Sequence, residues 1–146
     1  MPEIARSALV AHPPALMFAL VDAVEDYPQF LPWCAGTTVL HRDAATTRAT
    51  IRINYRGITQ SFTTENAKRA PEEMLITLVQ GPFRSLEGSW RFTALGEHGC
   101  KVELRLSYEF SSRVLAKLVG PVFNYIAVTL VEAFVKRAGE MHGDGR

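Results

Sequence analysis

Between Ser112 and Met141 the apolar residues arrive as adjacent pairs every four positions: Val114-Leu115, Leu118-Val119, Val122-Phe123, Ile126-Ala127, Leu130-Val131 and Phe134-Val135. That spacing lays one wide apolar face along a single long helix. Lys117, Asn124, Glu132, Lys136 and Arg137 fall on or beside the other side. Ser111 and Ser112 are N-cap candidates, since a hydroxyl can accept from the free N–H groups of the first turn. Gly139 and Gly143 supply a stop. Gly120-Pro121 interrupts the pattern. Proline has no backbone donor and crowds the carbonyl four residues back, so a kink or break is expected there. A face this wide has to be covered, and the run of strands that precedes it is the only stretch able to do so.

That run is legible from its alternation. Ile4 to Val10 reads as a first strand, ended by His12-Pro13-Pro14. Ala15 to Val24 reads as a short amphipathic helix, opened by a proline whose missing N–H would be unpaired in the first turn anyway. Two prolines in Tyr27-Pro28-Gln29-Phe30-Leu31-Pro32-Trp33-Cys34 allow a single turn and a bend. Strands follow over Thr37–Arg42, Thr47–Tyr55, Thr59–Lys68, Met74–Gln80, Leu86–Ala94 and Lys101–Phe110. In the last of these Val102, Leu104, Leu106, Tyr108 and Phe110 share one face. Met74–Gln80 is apolar on both faces and should be central or covered. Short connections between successive strands imply an antiparallel meander. The expectation is one α+β domain over residues 1–146: a curved antiparallel sheet wrapped around a long C-terminal helix, with two short helices after the first strand.

A chain of 146 residues buries roughly two-thirds of its unfolded surface, so it needs no metal or disulfide to hold a core. The formal net charge of +1 gives no general signal for nucleic-acid binding. Cys34 and Cys100 lack metal spacing and read as free thiols of a reducing compartment. Met1-Pro2-Glu3 does not open a signal peptide, and no apolar run reaches the ~18 residues of a membrane span. The expected location is the cytoplasm, with no membrane span.

Chemistry-bearing patterns are sparse. His12, His41, His98 and His142 fall in turns, edges or the tail, away from ligand spacing. There is no phosphate loop and no nucleophile elbow. No catalytic residue, metal or cofactor is expected. Asp22, Glu25 and Asp26 read as a solvated helix face. The inward strand faces offer Tyr55, Tyr108 and Asn66 as their polar groups. A set of large aromatics, Tyr27, Phe30, Trp33, Phe83, Trp90, Tyr108 and Phe123, is either ordinary core or the lining of an apolar ligand pocket. Gly88 would leave space beside Trp90. Arg48, Arg52 and Arg56 share one strand face, with Arg91, Lys101 and Arg105 as an extension across the sheet. They form either a solvated surface laced with Glu87, Glu103 and Glu109 or a contact for RNA phosphates.

Several short motifs occur in a specific order: Met1-Pro2-Glu3-Ile4 with Ala8-Leu9-Val10, Tyr27-Pro28-Gln29-Phe30-Leu31-Pro32 with Cys34, Phe62-Thr63-Thr64, Gly81-Pro82-Phe83, Leu86-Glu87-Gly88, Trp90-Arg91-Phe92 and Ala133-Phe134. In these the chain resembles the START-like, helix-grip superfamily of lipid-transfer and polyketide-cyclase-like domains. Within it the chain resembles the bacterial RatA proteins and their coenzyme Q-binding relatives. The resemblance implies a non-enzymatic protein that binds the large ribosomal subunit, inhibits subunit association and belongs to a toxin–antitoxin setting. The alternative it implies is a carrier of coenzyme Q or another lipid that supports respiration. A cyclase-like enzyme comes third, because this fold hosts binders and enzymes alike.

Overall fold

The computed structural model describes residues 3–143; Met1 and Pro2 of the opening motif lie outside the described residues. The elements run β1 (Glu3–Val10), α1 (Pro14–Asp22), a 3-10 segment (Val24–Gln29), β2 (Cys34–Arg42), β3 (Thr46–Tyr55), β4 (Ile58–Arg69), β5 (Glu73–Gln80), β6 (Phe83–Leu95), β7 (Gly99–Phe110) and α2 (Arg113–His142). The strands form one seven-stranded sheet in the order β1-β7-β6-β5-β4-β3-β2. All neighbours are antiparallel, so β2 to β7 is the expected meander and β1 closes against β7. Alternation sets the faces: Val102, Leu104, Leu106, Tyr108 and Phe110 of β7 are buried, as are Leu86, Trp90 and Phe92 of β6. The other side of the sheet faces solvent. The inner side closes on α2, whose Val119, Val122, Phe123, Ile126, Ala127, Val131, Phe134 and Ala138 are buried. Cys34 and Cys100 are free and buried.

α2 begins where the serines place it. The Ser112 hydroxyl accepts from the Leu115 N–H at 3.1 Å, and Gly143 with φ 75° ends the helix. The break expected at Gly120-Pro121 is absent, and the helix is continuous through both residues. A residue before proline is normally driven out of the helical region by its own Cβ. Gly120 has none, and the nearest atom to that position is a Phe110 ring carbon at 3.8 Å. Pro121 lies on the exposed side, so water can serve the Lys117 carbonyl that proline leaves without a donor.

Other expectations need amending. β5 is central in the sheet as its two apolar faces implied, but being central does not cover Leu75 and Val79 on its outer side. Within α2, Val114 and Leu118 are exposed although both belong to the apolar pairs. Those pairs also make α2 long and apolar enough to cross a membrane by length and composition, contrary to the reading that no run suffices; in this fold the sheet grips one side of it. The acidic cluster is a solvated face only in part: Glu25 is exposed, but Asp22 is half-buried. Asp22 is the last residue of α1 and accepts from Thr47 Oγ1 at 2.7 Å and from Lys68 Nζ at 3.1 Å. The Lys68 side chain is only 5 % exposed. Arg42 donates to the Asp22 carbonyl at 2.7 Å and to both Glu25 carboxylate oxygens at 2.6 and 2.9 Å, and holds the Glu25 carboxyl below its usual range. One ionic knot therefore ties the α1 and 3-10 segment to β2, β3 and β4.

Removing one partner of a buried pair leaves the other charge uncompensated. Asp22→Ala should cost about 3–5 kcal/mol of unfolding free energy, measured by denaturant titration, and Asp22→Leu with Lys68→Met should recover most of it. Pro121→Ala restores a helical N–H donor on an exposed face. It should raise stability by about 1–3 kcal/mol in the same assay.

Candidate functional site

Between the inner sheet face and α2 lies a cavity of about 80 Å³. Each wall comes from a different element. Tyr27 enters from the 3-10 segment, Trp33 from the bend before β2, and Ile51 from β3. Phe62, Thr64 and Asn66 alternate inward along β4, and Ile76, Leu86, Trp90, Leu104 and Leu106 continue across β5, β6 and β7. α2 closes the space with Phe123, Ile126, Ala127 and Leu130, one face at helical spacing. A dry apolar cavity of about 150 Å³ holds a benzene ring, so this one is roughly half the size that a six-membered ring requires.

Two aromatic clusters cap the cavity. Phe83 stacks on Phe110 at 4.9 Å and meets Phe123 at 4.9 Å, while Tyr108 meets Phe123 at 4.8 Å. At the other end Tyr27, Phe30 and Trp90 each pack edge-on to Phe134 at 5.4 Å. Of the seven aromatics singled out from sequence, Tyr27, Trp33, Trp90 and Phe123 line the cavity. Phe83 and Tyr108 belong to the first cluster. Phe30 borders a surface groove of about 530 Å³ between residues 29–33 and α2, under the Arg137 guanidinium at 5.1 Å. Trp33 borders both cavity and groove and is the partition between them.

Gly88 does not open space beside Trp90. A Cβ there would stand 2.3 Å from the Arg105 carbonyl and 2.6 Å from Leu106, so glycine serves close strand approach. The α2 residues Ile126, Ala127 and Leu130 were within reach of sequence reasoning through their spacing from Phe123. Thr64 was within reach as well, since alternation places it between Phe62 and Asn66 on the inward face of β4.

The cavity's polarity is slight. Thr64 Oγ1 donates to Asn66 Oδ1 at 3.4 Å. The Tyr27 hydroxyl donates to the Val21 carbonyl, and burial pushes its pKa far up, so the phenol stays protonated. Burial likewise raises the Tyr108 phenol and the Cys34 thiol. The lining holds no carboxylate, imidazole or amine. What it can do chemically is exclude water and offer one amide, two hydroxyls and indole edges to an apolar guest.

The arginine stripe is largely engaged on the outer face. Arg48 Nη2 lies 2.7 Å from Glu65 Oε1. Arg52 donates to Thr38 Oγ1 at 3.1 Å and lies across Gly36. Arg56 sits in the β3–β4 turn with φ 50° and stacks over Tyr55 at 5.3 Å. Arg91 pairs with Glu73 and Lys101 with Glu103.

A curved sheet gripping one long helix around a small apolar cavity is the helix-grip architecture of START-like proteins. A START superfamily protein from Mycobacterium smegmatis superposes with a TM-score of 0.76 at 20 % identity, covering 95 % of this chain and 98 % of that one. The Zhui aromatase/cyclase from Streptomyces sp. R1128 gives 0.82 at 13 % identity, over 94 % and 93 %. The family model for polyketide cyclase / dehydrase and lipid transport matches residues 10–135, and the chain belongs to that family. Along its length it is 42 % identical to the ribosome association toxin RatA of Vibrio cholerae, over 99 % of this chain and 100 % of that one. RatA of Escherichia coli K12 is 38 % identical over 97 % and 90 %. The mitochondrial coenzyme Q-binding protein COQ10 homolog B of Xenopus laevis is 27 % identical over 97 % of this chain and 59 % of its own length.

Ala127 lines the cavity and is almost fully buried. Ala127→Val should fill empty space and leave stability within about 1.5 kcal/mol of the parent by thermal melting. A larger loss would mean that the cavity is smaller than its walls indicate.

Proposed function

We propose that this chain is a non-enzymatic RatA-type protein of the cytoplasm, which binds the large ribosomal subunit, inhibits subunit association and keeps a small apolar ligand site behind Trp33. The observation that carries this reading is the full-length 42 % identity to a protein named for ribosome association. The absence of any acid, base or amine from the cavity lining supports a binder over a cyclase. The likeness to the aromatase/cyclase, at 13 % identity, concerns the fold alone.

In this reading the outer arginines Arg48, Arg52 and Arg56 supply phosphate contacts to ribosomal RNA. Arg48 would exchange its Glu65 partner for a phosphate, a modest exchange because an exposed pair contributes only about 0–1 kcal/mol. The test is a sucrose-gradient profile of lysate from cells overproducing the protein, with accumulation of free subunits at the expense of joined ribosomes expected. Replacing the three arginines by glutamine should leave thermal stability near normal. It should weaken co-sedimentation with the large subunit and flatten its salt dependence, since each lost phosphate contact lowers the slope by about one unit. Unchanged binding and slope would remove the arginines from the contact.

A second reading, a carrier of coenzyme Q or another lipid, is favoured by the likeness to the coenzyme Q-binding protein and by the aromatic cavity wall. At about 80 Å³ the cavity must enlarge to take a quinone ring, and displacement of Trp33 would join it to the groove outside. Titration with a short-chain quinone should then change tryptophan fluorescence, and Ala127→Val should abolish the response. An unchanged gradient profile with altered respiration would favour this reading over the first.

A further inference from the structure

The first half of α2 is built unlike a core helix. Val114 is 66 % exposed, Leu118 58 % and Tyr125 43 %. With the exposed Pro121 they recur at i, i+4, i+7 and i+11, a single stripe roughly 16 Å long on the exposed side of the helix. Only 33 % of the most apolar 18-residue window of α2 is buried, where a core helix would be mostly covered. The charges are equally one-sided. From Arg113 to Val131 the helix carries no carboxylate, and its cations are Arg113 and Lys117. Both are exposed and, among the described residues, have no acidic partner. Helix starts favour acids, yet this first turn has none and opens on an arginine. At the far end of the stripe Tyr125 stacks on Tyr55 at 5.3 Å, and Arg56 lies over that tyrosine.

We propose that this face docks on an anionic phospholipid surface, with Val114 and Leu118 entering the boundary between headgroups and acyl chains and Arg113, Lys117 and Arg56 meeting lipid phosphates. An apolar stripe rimmed by cations and ended by tyrosines fits that boundary, which is apolar on one side and negatively charged on the other. RNA supplies phosphates but no apolar phase for Val114 and Leu118. A second copy of this face would offer Arg113 and Lys117 no carboxylate, since the helix carries none from Arg113 to Val131.

The test is flotation of the full chain with vesicles of phosphatidylcholine alone or mixed with phosphatidylglycerol. Binding is expected to the mixed vesicles and should weaken as salt rises. Arg113→Gln with Lys117→Gln should lower the partition roughly tenfold to thirtyfold and flatten its salt dependence. Val114→Ser with Leu118→Ser should abolish flotation while shifting the thermal melt only slightly, because more than half of each residue is already in water. Failure of the parent to float with phosphatidylglycerol vesicles would overturn the proposal, as would equal flotation of the serine variant. A concentration-dependent dimer lost in the serine variant, without flotation of the parent, would overturn it in favour of a second copy. Ribosomal co-sedimentation is read separately, so failure here leaves the ribosomal reading standing or falling on its own gradient.

Discussion

The inner face of the sheet is apolar from β1 to β3, and no strand can cover it, because every strand contributes to it. Burial of that face against α2 is the interaction on which the rest depends. Phe134, Val131, Ala127 and Phe123 follow one another down the helix into the concave side, and each buried large side chain contributes about 1.5–3 kcal/mol. The curvature is a consequence: a flat sheet could touch a cylinder along one line only, whereas a curled one reaches it from several strands. The cavity sits where side chains from opposite walls meet least completely, bounded by aromatic clusters too stiff to collapse into it.

The short helical segment between β1 and β2 is held in two ways. Met17, Phe18, Val21, Val24 and Tyr27 bury themselves in the core, and polar links fasten it to the sheet as well. Asp22 joins Lys68 and Thr47, Arg42 joins Glu25, and the Thr37 hydroxyl donates to the Val24 carbonyl at 3.1 Å. These bonds fix the direction in which the chain passes into the Tyr27–Cys34 bend, and so fix where Trp33 stands. A wall of the cavity is thus positioned by charges outside it. Such networks are geometrically demanding, because each member must keep its partner or leave a costly buried group.

The architecture was open to sequence reasoning because alternation and helical spacing are local signals. The strand faces of β3, β6 and β7 and the Ser112 cap needed nothing more. What failed were inferences in which distant residues decide the outcome. Asp22 looks solvated until β4 brings Lys68 beside it. Gly88 looks like a gap until β7 presents the Arg105 carbonyl. Pro121 looks like a break when its ring is weighed without Gly120 before it and open solvent around it. Four of the seven aromatics line the cavity and three do not, since an aromatic beside a bend faces inward whether it lines a space or fills one. Size was beyond reach: a cavity volume is a small difference between large packed volumes, and no local pattern encodes it.

The pairing of β1 with β7, in which Glu3 lies opposite Ser107, has a consequence for the order in which the molecule can be assembled. β1 is made before the other six strands yet has no neighbour until nearly all of them exist, and α2 follows later still. Throughout that interval the inner face of the meander is bare. Long-range closure of this kind is slow and leaves strand edges available to other chains. Synthesis of this protein therefore passes through a stage in which its most adhesive surface is complete before its cover exists, and the yield of folded protein should depend on what shields that surface meanwhile.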